Sequence, residues 1–313
     1  MAETTLEALG GAKRRRGPWS GLRRRESIAG FLFLLPNFLT FFVFTLFPVL
    51  AAIFLTFTQW DLATPPRWIG LGNFAKMAKD DLFIKTMGNT FYYTFTAVPT
   101  GVLLAFILAL LLNRKMRGIL AFRTIFFLPN VTLIVAVSIV WAWIYHPEFG
   151  LINYLLSLVG IKGPAWCFDS RYSMPAVIIM SNWAGIGYPM LIYLAALQGI
   201  SAEMYEAATI DGASSWQQLR YVTVPLLSPT TFFILTTSLI GAFQGFSQFY
   251  MLTQGGPAFS TTTIVLYIFN NGFSYFKMGY ATAMAAVLFA CILIITLLGW
   301  QARKAWVYGA EEM

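Results

Sequence analysis

Residues 206–225 read EAATIDGASSWQQLRYVTVP, a polar island carrying Glu206, Asp211 and Arg220 between apolar stretches that otherwise run from Met174 to Tyr250. Its local code spells a helix, a break and a second helix. Ser201 stands where an N-cap belongs, and Ile200, Met204 and Ala207 or Ala208 recur at helical spacing. Asp211-Gly212 ends this helix, because glycine takes a left-handed backbone without steric cost. Ser214-Ser215-Trp216-Gln217 then fits a capping box, and Trp216 and Leu219 share a face. Pro225 opens the next apolar run, where its missing N–H is harmless.

The flanks set the class. The chain has 313 residues, 58% of them hydrophobic and 11% charged, against about a quarter charged in a soluble domain. Six stretches reach the roughly 20 apolar residues that a spanning helix needs: about 30–58, 90–112, 122–145, 174–197, 226–250 and 279–300. These predict an all-α membrane protein with one six-span domain over 30–300. A basic tail (1–29) precedes it and a short tail (301–313) follows. The apolar run from Ile28 to Thr58 is far longer than a signal-peptide core of roughly 7–15 residues and reads as a retained first span. Two runs too short to span, 149–160 and 263–270, read as surface helices on the outer side.

Charge distribution gives the orientation. With six spans, both termini, the 113–123 connection and the 198–224 connection share one side, which holds fourteen of the 21 basic residues. Seven of these (Lys13, Arg14, Arg15, Arg16, Arg23, Arg24 and Arg25) precede the first span. That excess puts both termini in the cytoplasm and marks the tail as a contact for anionic lipid rather than nucleic acid. The polar island is then cytoplasmic, yet it carries three acidic residues and one basic one within 198–224. A loop lying on the inner leaflet favours Lys and Arg on its polar face, so this one suits a protein partner better.

The spans contain no Asp, Glu or Lys, and no G-x-x-x-x-G-K-[ST] run exists to cradle phosphates. Ion-coupled transport and a resident ATP site are therefore disfavoured. A permease driven by a separate ATPase and a passive channel both remain. His146 is the only histidine, and Cys167 and Cys291 lie too far apart for a metal-ligand spacing. No catalytic residue and no metal site are expected. Polar side chains within spans should line any solute path, since facing lipid would cost them hydrogen bonds. In the fourth span Ser181, Gly185 and Tyr188 recur at i, i+4, i+7, with Asn182 adjacent. In the fifth, Ser238, Gly241 and Gly245 share one face beside a stripe of Gln244 and Gln248. The candidate path is Ser181, Asn182, Gly185, Tyr188, Ser238, Gly241, Gln244 and Gln248. Such residues equally serve helix–helix packing.

The pattern Glu206-Ala207-Ala208, Gly212 and Val224-Pro225-Leu226 resembles the cytoplasmic "EAA" signature of binding-protein-dependent ABC importer permeases, in the carbohydrate-uptake version of the MalF/UgpA type. Other segments resemble the same family in the same order. "FLFLLPNFLTFFVFTLFPVLAAIFLTFTQWD" is similar to its first span. "IGLGNF" and "MGNTFYYT" are similar to the approach to the second, "RTIFFLPNV" to the start of the third, and "YMLTQGGPAFSTT" to the segment after the fifth.

The resemblance implies a non-catalytic, multi-pass subunit of a bacterial or archaeal inner or plasma membrane that imports a sugar, oligosaccharide or polyol. It implies a second, homologous permease subunit, two cytoplasmic ATPase subunits that bind ATP and Mg, and an extracytoplasmic solute-binding protein. This chain would hold no cofactor itself. The helix–turn–helix would couple to the ATPase through Glu206, Ala207, Ala208, Asp211, Gly212 and Trp216. The solute cavity would lie between the fourth and fifth spans. Many such permeases carry an acidic residue near Gln248, and this chain does not.

Overall fold

The computed structural model describes residues 19–114 and 116–308, and the side chains from Glu26 onward within the first helix. The basic cluster Lys13–Arg16, the side chains of Arg23–Arg25, Lys115 and residues 309–313 lie outside the described residues. The chain divides into two compact units, residues 1–54 and 55–313.

In the first unit α1 (Trp19–Phe41) passes through a wider π turn at Phe42–Leu46 into α2 (Phe47–Thr56). Pro36 sits inside α1, and Thr40 returns a hydroxyl bond to the Pro36 carbonyl at 2.9 Å. Its apolar side chains are almost all exposed, with Phe33 at 86%. In water that surface would be prohibitive, and in a bilayer it is the normal lipid-facing skin.

The second unit opens with a two-stranded ribbon, β1 (Thr58–Gln59) and β2 (Arg67–Trp68), and short α3 (Gly72–Met77). Asn73 of α3 is buried and donates its amide to the carbonyls of Thr56, Thr58 and Gly279 at 2.9, 2.8 and 3.2 Å, tying the ribbon to the last helix. Then α4 (Asp81–Leu112) runs for 32 residues. Asp80 caps it by accepting the N–H groups of Leu82 and Phe83. Val98, Val102, Ala105, Ala109 and Leu112 form a buried stripe on α4, at the 3–4-residue spacing of one helix face. The alanines are fully buried and bring α4 close to its neighbours.

The third predicted span is not one helix. α5 (Ile119–Val131) and α6 (Ile134–Ile144) meet at 100°. Pro129 lies in the last turn of α5, Thr132 and Leu133 are extended, and the Thr132 hydroxyl takes the Leu128 carbonyl at 3.0 Å. That hydroxyl replaces a ladder bond in a region where water is scarce, so the turn is tolerated. The fourth span is α8 (Ser173–Gly185) and α9 (Gly187–Gln198), bent by 46°. Pro189 removes the donor that would reach the Gly185 carbonyl, four residues before it. Gly187 is required by contact: a Cβ there would meet the Phe126 carbonyl oxygen at 2.6 Å and the Phe127 Cα at 2.7 Å.

After the helices of the polar island, α10 (Ala202–Ile210) and α11 (Ser215–Gln218), a π turn at Leu219–Thr223 leads to the short α12 (Val224–Leu226). The chain then bends by 61° into α13 (Ser228–Phe243). The fifth span is likewise interrupted: Gln244–Phe246 are non-helical before α14 (Ser247–Leu252). Between the third and fourth spans α7 (Leu151–Leu158) has no buried residue, as a surface helix should. The expected partner helix is different. α15 (Ile264–Phe269) buries Ile264 and Leu266, and the Thr90 hydroxyl of α4 receives the Ile264 N–H at 2.9 Å. It packs against α4 and α16 (Met278–Trp306). The surface assignment for 263–270 is thus overturned, because short length excludes spanning but not burial.

The upper end of α4 is latched to this region. Tyr267 and Tyr280 each donate a hydroxyl to the Asp80 carboxylate at 2.7 Å. Burial pushes the Asp80 carboxyl up, but the bonds from Tyr280, Tyr267, Phe83 and Leu82 outweigh it and hold the group below its ordinary value. The following loop has positive φ at Gln254, Ala258 and Phe259. Lys85 Nζ donates to the Ala258 carbonyl, and Asn89 Nδ2 to those of Phe259 and Thr262, which fixes these conformations.

Among the described residues three helices are long and apolar enough to cross a membrane alone: Glu26–Thr56, Asp81–Leu112 and Met278–Trp306. The number is six if each bent pair is one crossing. The fold is a predominantly helical membrane architecture built largely from broken spans.

Candidate functional site: an uncharged cavity and an exposed helical hairpin

Where α4, α8 and α13 meet, their small and polar residues leave a cavity of about 220 Å³. Five of the eight expected path residues line it: Ser181, Asn182 and Gly185 from the fourth span, Ser238 and Gly241 from the fifth. The other three lie elsewhere. Tyr188 is half-exposed and outside the lining. Gln244 is exposed in the helical break. Gln248 lies on α14 and donates its amide to the Tyr93 hydroxyl at 3.3 Å, beside the cavity rather than in its wall.

The second span supplies a wall that sequence reading missed. Tyr93 and Gly101 line the cavity, and Thr100 accepts the Asn182 amide at 2.8 Å. The available signal was the polar pair Thr100-Gly101 within an otherwise apolar run. Ser181 Oγ is buried beside the Tyr93 hydroxyl without a hydrogen bond of standard geometry. A hydroxyl so placed can rotate to donate to or accept from a solute oxygen. A second, apolar cavity of about 530 Å³ lies in the elbow of the broken third span, and Asn182 and Ile186 belong to both walls. The chemistry of the first cavity is hydroxyl, amide and phenol, without charge. Such groups can exchange hydrogen bonds with a polyhydroxylated solute.

The polar island folds as its local code predicts. Ser201 caps α10, accepting the Glu203 N–H at 3.2 Å. At its end the Ala213 N–H reaches the Ala208 carbonyl and the Gly212 N–H reaches that of Thr209, with Gly212 at φ +79°. This is a Schellman ending. Ser214 and Gln217 form the reciprocal capping box. Two further clamps lay outside the sequence code: Gln218 Nε2 donates to Thr209 Oγ1 at 2.9 Å, and the hydroxyls of Tyr205 and Thr223 meet at 3.0 Å.

The resulting hairpin is rigid and presents apolar tips, Ile210 at 86% exposure and Trp216 at 68%. Glu206, Ala207, Asp211 and Gly212 are exposed and Ala208 is half-buried. Tyr205, Glu206, Thr209 and Ile210 border a shallow recess of about 550 Å³.

Elsewhere, His146 stacks on Phe149 with ring centroids 3.4 Å apart and accepts the Glu148 N–H on Nδ1. Cys167 and Cys291 are free thiols, and burial pushes that of Cys167 up to about 12. Among the described residues no group of three His, Cys, Asp or Glu gathers to hold a metal.

Residues 69–305 match the family described as binding-protein-dependent transport system inner membrane component. The chain is 38% identical over 295 residues to a probable ABC transporter permease protein, YesP, of Bacillus subtilis, covering 92% of this chain and 95% of that one. It is 35% identical to the lactose transport system permease protein LacF of Rhizobium radiobacter, covering 91% and 97%. Among solved structures, a bacterial ABC transporter involved in the import of the acidic polysaccharide alginate superposes with a TM-score of 0.80. That match is at 26% identity and covers 92% of this chain and 98% of the other.

Proposed function

Since this chain belongs to the family of binding-protein-dependent transport system inner membrane components, we propose that it is the permease subunit through which an ATP-driven importer moves a carbohydrate by alternating access. The uncharged cavity between α4, α8 and α13 holds the solute in transit. Its hydroxyls and amides exchange hydrogen bonds with the sugar that water would otherwise supply. Relatives named for sugar and oligosaccharide uptake support the substrate class. The α10–α11 hairpin docks on a cytoplasmic ATPase subunit through Glu206, Ala207, Ala208, Asp211, Gly212 and Trp216. ATP and Mg are bound by that partner. A second permease subunit completes the path, and a solute-binding protein delivers to the outer face.

The observation that carries this reading is the hairpin: a short, doubly capped unit that exposes Ile210 and Trp216 instead of burying them. Apolar tips on a stiff element suit a groove on a partner that pushes and pulls. Family membership does not favour a self-contained passive facilitator. Co-purification from native membranes tests the choice directly. An ATPase subunit should accompany the chain, and Ile210→Glu with Trp216→Glu should release it without lowering the amount of folded permease. Solute flux through liposomes containing the chain alone, without ATP, would support the facilitator instead.

A further inference from the structure

A large polar cavity lies away from the proposed solute path. It occupies about 850 Å³ between the β1–α3 segment and the start of α16, and shares no lining residue with the uncharged cavity. That volume is within the range of about 300–1,000 Å³ typical of small-molecule sites. Arg67, Lys76 and Lys277 line it against a single carboxylate, Asp61. Asp61 is already engaged, accepting the Thr64 hydroxyl and the N–H groups of Thr64 and Ala63. The bonds from Thr64 hold it below the ordinary carboxylate value, so it stays charged, and all of those contacts are made to Oδ1.

The cations are braced by rings. Lys76 Nζ sits 4.5 Å from the Tyr280 ring centroid and Lys277 Nζ 5.6 Å from that of Tyr275. Asp80, beyond the Tyr280 hydroxyl, is occupied by Tyr267, Tyr280 and two backbone N–H groups. The frame is firm, since Asn73 and the Gly279–Trp60 backbone bond lock the two walls together. Trp60 and Tyr275 add aromatic faces, and Gln59 an amide.

Rings and an amide suit a polyhydroxylated skeleton, while three cations facing one occupied carboxylate call for an oxyanion. We propose that this cavity is a receiving site for a sugar acid, a saccharide bearing a carboxylate, on the face that the charge asymmetry assigns to the outside. The proposal rests on the carbohydrate reading above and narrows its substrate class. The anion is bound by Arg67 and Lys277, and the ring stacks against Trp60.

The test uses the permease–ATPase complex, without binding protein, in phosphatidylcholine nanodiscs, titrated calorimetrically with sodium glucuronate, glucose and inorganic phosphate. Glucuronate should bind at least about tenfold more tightly than glucose, by the strength of charge-assisted bonds, and more tightly than phosphate, which has no ring to stack on Trp60. The double variant Arg67→Gln, Lys277→Gln should weaken glucuronate by about ten- to a hundredfold. The melting temperature should not change.

Equal binding of glucose and glucuronate, equal binding of phosphate, or a double variant with unchanged affinity overturns the proposal. So does loss of glucuronate binding when phosphatidylglycerol replaces phosphatidylcholine, which would make the cavity a lipid headgroup site. A complex that titrates glucuronate but never couples solute to ATP hydrolysis sinks the transport reading alone. One that transports yet does not titrate glucuronate sinks this inference alone.

Discussion

The α10–α11 hairpin and the cavity among α4, α8 and α13 contrast in how they are held. In the hairpin the helix ends are closed within a few residues, by Ser201, Gly212, Ser214 and Gln217. The cavity wall depends on partners far apart in the chain, such as Asn182 with Thr100 and Gln248 with Tyr93. The hairpin is a self-sufficient part with exposed apolar tips. The cavity exists only because two bent or interrupted spans lean on one straight one. A protruding hairpin can be specified locally, whereas a space has to be specified by everything around it.

Substitutions can break this contrast, beginning with the most damaging. Gly187→Leu would drive a side chain into the backbone of Phe126 and Phe127. It should destabilise the chain by about 3 kcal/mol or more, read as a fall in detergent melting temperature, while leaving the hairpin's own conformation intact. Removing the latch at the end of α4 should come next. Asp80→Asn weakens two tyrosine bonds to a charged acceptor and should cost about 1–3 kcal/mol at neutral pH.

Because the folded Asp80 carboxyl titrates below its ordinary value of 3.8, its contribution is complete above that value and is lost as pH falls through the lower folded value. The gap between wild type and Asp80→Asn should therefore close on acidification below about pH 4. A gap that widens there would contradict the bonding described.

The local side of the contrast is sharpened by Gly212→Val, which forces a β-branched residue to φ +79°. It should cost about 1–2 kcal/mol and reduce solute-stimulated ATP hydrolysis, whereas Gly212→Asn, which tolerates that conformation, should retain most of it. The smallest effect is expected at Ser181→Ala. Deleting a buried hydroxyl that makes no hydrogen bond of standard geometry should change stability by no more than about 1 kcal/mol, yet lower uptake. A marked loss of stability would show that Ser181 packs the helices instead of awaiting solute.

These contrasts explain what was legible in the sequence. The hairpin could be read almost atom by atom, because capping boxes and glycine turns are short-range chemistry. Its clamps, Gln218 to Thr209 and Tyr205 to Thr223, could not, since they depend on how two helices fold back. Five of the eight path residues converge because polar side chains in spans share a need to avoid lipid. The second-span wall at Tyr93 and Gly101 escaped notice because a single Gly or Tyr carries no periodic signal.

Hydropathy located the spans but not their breaks. Pro129 and Gln244-Gly245 scarcely change an apolar average, and whether a proline yields a mild bend or a 100° turn depends on substitutes such as the Thr132 hydroxyl. The burial of α15 was invisible for the same reason: its cap, Thr90, lies in another span.

The length of α4 has a consequence for access. At about 1.5 Å per residue, its 32 residues extend roughly 48 Å, whereas the hydrocarbon layer is about 30 Å thick. Some ten residues must stand clear of it, and the end bearing Asp80 carries Tyr267, Tyr280 and the loop pinned by Lys85 and Asn89. The surplus of about 18 Å is close to the roughly 10–15 Å that the two headgroup layers together add to the hydrocarbon, so the helix carries its pinned Asp80 end into the polar zone, out of reach of the lipid tails.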